Sequence, residues 1–333
     1  MNLSSHLHSL LATHPVIGAT LAVIRNGAVA EIAAAGIKDA STADPVTPQT
    51  IFDAVSLSKP VAAWAALQLA DAGVLDLDEP VCHYARRIVP DDPLSALITA
   101  RHLLTHTAGL QNTREKDEVL RMYFAPGAWA SYSSMGIMYL QAAMEARTGE
   151  PFEATMRRLV FEPLDMRSSS YVWQERFDAD FARPHDDGQP IDKHRPSGAF
   201  ASYSLQTTAG DYAAFVAAVL RGDGLKESTW RDWFVVQGHA PKGAAVHLES
   251  TPPETEPDVG WGLGWGVEPS TGCFFQWGKR EGVRSFVMGS VAEQAGFVLL
   301  TNSNTGLRLV RELAAEVLPG EHAVVDWLAC VTE

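Results

Sequence analysis

Residues 60–70 read Pro-Val-Ala-Ala-Trp-Ala-Ala-Leu-Gln-Leu-Ala, a helix-forming run in which Gln68 is the one polar side chain. A helix that is apolar on every face has to be covered on every face. That demands a thick, layered core, and a chain of 333 residues can build one without disulfide staples. By length it is one compound domain or about two. With 46% hydrophobic and 20% charged residues it is globular, and disorder, collagen and coiled coil are excluded as its main state.

Charge narrows the partners. Lys and Arg number 26 against 40 Asp and Glu, a net charge of −14, which repels phosphate backbones and anionic lipid surfaces. Neither nucleic acid nor membrane is therefore expected as a partner. Cys82, Cys273 and Cys330 have no C-x-x-C spacing and an odd total; they read as core thiols in a reducing compartment. The first fifteen residues hold three histidines and no Lys or Arg, unlike a secretory leader. No stretch reaches the roughly 18 apolar residues of a membrane span. The expected location is cytoplasmic.

Periodicity outlines the elements. An amphipathic helix is expected over 3–13, then strands over 17–24 and 28–35, joined through Asn26-Gly27, a strong hairpin signal because both turn positions take positive φ. From 82 to 205 strand patterns are scarce and helices are expected at 100–105, 115–123, 135–147 and 152–160. Further helices are expected at 208–220 and 228–235, and 249–258 reads as a solvated loop or lid. Strand character returns over 262–267, 273–277, 285–291 and 296–301 before two closing helices at 307–318 and 321–330. Strands at both ends of a helical middle predict one sheet shared by the N- and C-terminal segments. The expected domains are 1–80 plus 206–333 as the sheet domain, and 81–205 as an inserted, mainly helical one.

Of the chain's lysines, Lys59 alone has a serine three positions before it, Ser56. It stands at the entrance of the all-apolar helix, where a desolvated ammonium costs several kcal/mol unless paired. Burial lowers an amine's pKa, and the three-residue spacing brings it beside the hydroxyl, as a base for a nucleophile would be. A helix N-terminus nearby favours an oxyanion. On spacing alone, Ser56 as an N-cap with Lys59 snorkelling to the surface stands equally open. Tyr132-Ser133-Ser134 precedes a helix, where Ser134 would cap it and Tyr132 would pack as an aromatic. Gln276-Trp277-Gly278-Lys279-Arg280 is a strand entering a tight turn. His102 and His106 lack the Glu of a zinc-protease helix and read as structural, and no G-x-S-x-G elbow is present.

Together, Ile51 to Pro60, Arg101 to Leu110, Pro126-Gly127 through Tyr132-Ser133-Ser134, and Trp261-Gly262-Leu263-Gly264-Trp265 resemble the class C β-lactamase-related serine hydrolases, which include penicillin-binding DD-peptidases, D-aminopeptidases and family VIII carboxylesterases. The resemblance runs from the hairpin to the last helix. It implies an α+β, β-lactamase-like fold, an antiparallel sheet flanked by helices, with the active site in the cleft between the two domains. The family's S-x-x-K falls on Ser56 and Lys59. Its Y-x-N falls on Tyr132-Ser133-Ser134 with Ser for Asn, and its [K/H]-x-G on Gln276-Trp277-Gly278 with Gln for the cation, since Gly278 is followed four residues on by Gly282-Val283.

On this resemblance Ser56 attacks a carbonyl, Lys59 and Tyr132 share the proton work, and the N–H groups of Ser56 and Lys279 form the oxyanion hole. Ser134, Gln276, Gly278 and Lys279 are the substrate-binding candidates. Trp261, Trp265 and Trp277 are expected to line an apolar acyl pocket. Gln donates hydrogen bonds but carries no charge for a substrate carboxylate, so esters or other activated acyl compounds are the expected substrates. β-Lactams and D-amino-acid peptides or amides are the alternative, and a non-turnover acyl-binding protein is the second. The partner is thus a small ester, lactam or short peptide. No organic cofactor or metal is implied.

Overall fold

A computed structural model describes residues 2–114, 118–238 and 258–332, without the side chains of 330–332. The chain forms two compact units: Met1–Ser58 with Arg157–Asp223 and Phe275–Glu321, and Lys59–Met156 with Gly224–Phe274 and His322–Glu333.

The first unit is built on an antiparallel sheet. Strands Gly18–Arg25 and Ala28–Asp39 form the expected hairpin, with Asn26 (φ 52°) and Gly27 (φ 66°) both left-handed at its turn. Gly18–Arg25 also pairs antiparallel with Ala295–Thr301, which pairs with Val283–Ser290. The N- and C-terminal segments therefore share one sheet, as the alternation predicts. From its edge the order is Asp44–Pro45, Ala28–Asp39, Gly18–Arg25, Ala295–Thr301, Val283–Ser290 and Cys273–Arg280. Helix Ala209–Arg221 buries Tyr212, Phe215 and Val216, packs on these strands, and ends at left-handed Gly222. Helix Leu3–Thr13 covers Ala28–Asp39, and Val310–Val317 covers Ala295–Thr301.

In the second unit, helix Ser58–Asp71 meets the demand of its sequence: Val61, Ala62, Ala63, Ala65, Ala66 and Leu67 are all fully buried. The same unit holds helices Ala100–Leu104, Ser134–Thr148, Glu227–Trp233 and Ala323–Thr332. Trp265 lies between Trp233 and Phe274, at ring-centroid distances of 6.1 and 4.7 Å, so this tryptophan is core. Among the described residues no helix is long and apolar enough to cross a membrane.

The division of the chain differs from the sequence expectation. Residues 59–80 and 224–274 cluster with the helical unit, and 157–205 with the sheet unit. Hydrogen bonding explains the latter: Ile51 and Ala182 exchange with their neighbours across a bridge to Phe181, Arg183 N–H donates to Lys38 O at 2.7 Å, and Ser170 pairs with Gln206. Two local expectations also change. Residues 118–123 form no helix; Tyr123 N–H donates to Gly109 O and Met122 bridges to Leu110, while 115–117 lie outside the described residues. The expected strand 262–267 is instead a tight hairpin between Gly260–Trp261 and Gly266–Glu268. Its Gly264 has φ 103° and lies so close to Ala63 that a Cβ would fall 2.4 Å from the alanine's own. The expected lid at 249–258 lies, but for Asp258, outside the described residues.

Candidate active site

Strand Phe52–Val55 runs into a two-residue turn, Ser56-Leu57, before helix Ser58–Asp71 begins. Val55 has φ 49°. A β-branched residue in the left-handed region is a backbone outlier, and such strain persists only where the surroundings enforce it. Here they do. Asp53 Oδ1 accepts Val55 N–H at 3.0 Å, while the other carboxylate oxygen pairs with Arg280. Ser58 Oγ donates to Val55 O and accepts Leu205 N–H at 3.0 Å. Ser285 Oγ holds Ala54 O at 2.8 Å, and the buried hydroxyls of Tyr212 and Tyr171 donate to Leu57 O and Ser58 O at 2.9 and 2.7 Å. Ser56, half-buried, is thus carried on a turn whose flanking carbonyls are tied down.

Gly278 packs against this turn. A Cβ on it would lie 2.1 Å from Ser285 Oγ, 2.8 Å from Ala54 O and 3.0 Å from Val55 Cβ, which is why this position of strand Cys273–Arg280 has to be glycine. Lys279 follows it, exposed, with burial of its stem and the charge of Arg284 drawing its pKa down. Gln276 is fully buried and its Nε2 donates to Trp277 O at 3.0 Å. Arg280 is committed elsewhere, to Asp53, with its guanidinium over the Tyr203 ring.

Lys59 opens the second unit with 1% of its surface exposed, and its Nζ stands 4.8 Å from the centroid of the Tyr132 ring. An ammonium at that range is attracted by the ring's electron-rich face. The structure thus brings Lys59 and Tyr132 together, and Ser56 is three residues of chain from Lys59. At the helix start, Ser133 rather than Ser134 is the N-cap: its Oγ accepts Gly136 N–H at 2.9 Å and donates to Gln111 O at 2.7 Å. Ser134 is the first helical residue, and an amide from another loop serves its backbone, Asn112 Oδ1 accepting Ser134 N–H at 3.0 Å.

The sequence reads His106 as structural without showing what it holds. Its backbone is left-handed (φ 57°) and its ring is 4.6 Å from Tyr132 and 5.1 Å, edge-on, from Trp261. It also grips the chain on both sides of the tyrosine: His106 O accepts Ser131 N–H at 2.8 Å, and Nδ1 accepts Ser133 N–H at 3.2 Å. An Nδ1 that accepts is unprotonated, so the ring is neutral. Burial first, and the Lys59 charge second, push its pKa down to about 3. His102 is structural, as expected, completing a capping box with Thr99.

The chain is similar to several known proteins. Esterase EstB of Burkholderia gladioli is 33% identical over 205 residues, 53% of this chain and 52% of that protein. A Beta-lactamase of Yersinia enterocolitica is 26% identical over 202 residues, 57% and 52%; the chain thus spans about half the length of these two proteins. Penicillin-binding protein 4 of Amycolatopsis lactamdurans is 26% identical over 347 residues, 95% and 88%. Among solved structures, the octameric penicillin-binding protein homologue from Pyrococcus abyssi superposes with a TM-score of 0.77 at 20% identity, covering 93% of this chain and 76% of that one. D-alanine carboxypeptidase AmpC from Burkholderia cenocepacia gives 0.72 at 20%, covering 91% and 93%. The fold is β-lactamase-like. The Beta-lactamase family model matches residues 3–320, and the chain belongs to that family.

Proposed function

We propose that this protein is a serine hydrolase that acts on carboxylic esters or other activated acyl compounds through an acyl-enzyme on Ser56. Ser56 Oγ attacks the carbonyl carbon and its proton passes to the Lys59 and Tyr132 pair. The oxyanion is met by the N–H groups of Ser56 and Lys279, and the alkoxide leaves with a proton from the same pair. Water then repeats the sequence and releases the acid. The observation that carries this reading is the strained, fully tied Val55 turn in front of Ser56, followed by a lysine buried under a tyrosine. A turn built only to start a helix has no need of a left-handed valine.

Two features support neutral acyl substrates. Gln276 is an uncharged, buried amide, and Arg280 is paired with Asp53. EstB, named an esterase, supports the same class. A carboxylate substrate forgoes a charge-assisted contact of about 1.5–3 kcal/mol, roughly ten- to a hundredfold in affinity.

Intact-mass spectrometry after a fluorophosphonate tests the nucleophile: one adduct per chain, absent in Ser56→Ala, and still mapping to Ser56 in Ser58→Ala. An adduct that survives Ser56→Ala ends the proposal. For the substrate class, a short-chain p-nitrophenyl ester is expected to exceed nitrocefin and a D-Ala-D-Ala peptide in kcat/KM, with Gln276→Lys narrowing the gap. A wild-type preference for the anionic substrates would move the reading to a β-lactamase or peptidase. A single burst without turnover would move it to an acyl-binding protein.

A further inference from the structure

Outside these residues, the second unit gathers three side chains of metal-ligating type. Glu268 ends strand Gly266–Glu268, Cys273 opens the next strand after a turn, and Gly272 N–H closes that turn on Glu268 O at 2.8 Å. His322 directly precedes helix Ala323–Thr332. One donor atom from each of the three lies within 4.8 Å of the other two, and all three side chains are buried. His322 Nδ1 faces Glu268 Oε2 at 2.9 Å, while Oε1 accepts Val324 N–H at 3.1 Å at the helix start. Thr271 Oγ1 also donates to Oε2.

Helix capping accounts for the carboxylate, and a hydrogen bond accounts for the imidazole. The thiol too lies within hydrogen-bonding reach of His322, but a weak S–H donor adds little that a hydroxyl would not. A proton between Nδ1 and Oε2 is held by two acceptors, whereas three converging donors of S, N and O type are what a metal ion takes. We propose that Glu268, Cys273 and His322 bind one divalent ion of the zinc class, in place of the sequence expectation of no metal. In tetrahedral zinc geometry the S, N and O ligand atoms stand about 3.3–3.6 Å apart, so spacings of up to 4.8 Å close by about 1.5 Å at most. A thiolate and an imidazole select zinc, cobalt or copper over magnesium and calcium, which take oxygen ligands. Thiolate and carboxylate together offset the ion's two charges in a buried place, where an unpaired carboxylate would be costly. Binding displaces the thiol proton and the proton between Nδ1 and Oε2.

The site would staple the last helix to the Gly266 hairpin. Trp327 of that helix packs 6.5 Å from Trp261, which lies 5.6 Å from Tyr132 and against His106. Metal would therefore firm the wall behind the tyrosine without touching substrate.

The test uses the full chain with any affinity tag removed, stripped by chelator and kept reduced, and titrated with Co(II) and then Zn(II). One equivalent of Co(II) is expected, with a thiolate-to-cobalt charge-transfer band in the near ultraviolet and the intense visible bands of a tetrahedral ion, both erased by one equivalent of Zn(II). Zn(II) is expected to raise the midpoint of thermal unfolding. Cys273→Ser removes the charge-transfer band, and Glu268→Gln and His322→Gln abolish stoichiometric binding. Cys82→Ser and Cys330→Ser retain both, which keeps the test valid should the Cys273 variant fold poorly. Absence of the charge-transfer band in the wild type, or loss of it in Cys82→Ser or Cys330→Ser, overturns the site.

Discussion

Val55 and His106 are both left-handed without being glycine, and each sits beside a residue of the proposed chemistry, but they are held in different ways. Valine is the worse tenant of that conformation, since its branched Cβ crowds the backbone, whereas histidine is among the residues that enter it more readily. The Val55 turn is accordingly fixed from outside, by Asp53, Ser58, Ser285 and two tyrosine hydroxyls. His106 instead does the fixing, with its own carbonyl and ring nitrogen on either side of Tyr132. The nucleophile's turn is therefore held by many weak ties from outside, whereas the backbone on both sides of the tyrosine is gripped by one residue.

The largest expected effects test whether the tyrosine end is a working part at all. Lys59→Ala and Tyr132→Phe should each slow acylation by about two orders of magnitude, the range of general acid–base groups. The double variant should lose far less than the product, because groups that act as one unit are not additive. Stopped-flow acylation with a chromogenic ester measures all three. Full additivity would mean that the contact of Lys59 with the Tyr132 ring is packing and nothing more.

A smaller effect is expected at the other end. Gly278→Ala puts a methyl group into Ser285 Oγ and Ala54 O, and overpacking of this kind costs about 1–3 kcal/mol. Because the methyl presses on the strained turn itself, the loss should appear in the acylation rate, by roughly ten- to a hundredfold, as well as in urea unfolding. Ser285→Ala, which removes one tie on the turn without adding the methyl group, should lose less rate than Gly278→Ala. An equal loss would show that the tie, and not the close approach of Gly278, governs the turn.

The same contrast explains what could be read from the sequence. The hairpin, the buried helix and the Ser56 to Lys59 spacing are local patterns, so periodicity and turn chemistry reach them directly. The ties that hold them are not local. Asp53 meets Arg280 across 227 positions, and Ser58 meets Leu205 across 147. No period marks either pair. Residues 157–205 read as helical because their strands are two or three residues long, too short to alternate visibly, and their hydrogen bonds to Lys38 and Ile51 decide where they belong. The sequence sets the cap of helix Ser134–Thr148 one residue late, since Ser133 and Ser134 are equal candidates until Gln111 O and Gly136 N–H choose between them. His106 carried one signal: a histidine ahead of Thr107-Ala108-Gly109 stands in a turn where a left-handed residue fits.

Acid should separate the two ends further, through the smallest of these effects. His106 titrates near 6.5 in an unfolded chain and is pushed down to about 3 when folded, by burial first and by the Lys59 charge second. Between those values the unfolded state binds a proton that the folded state refuses, so the contribution of His106 is fully present above pH 6.5 and is lost as the pH falls toward 3. The loss approaches about 1.4 kcal/mol per pH unit, the worth of one proton's displacement. His106→Asn keeps a residue tolerant of left-handed backbone and an acceptor for Ser133 N–H, yet it cannot titrate. Urea unfolding of both proteins from pH 7.5 to 4.5 should show the wild type more stable by a margin that shrinks steadily below pH 6.5. A margin constant with pH would mean that His106 is not the neutral clamp described, and that Tyr132, like Ser56, is held by many hands.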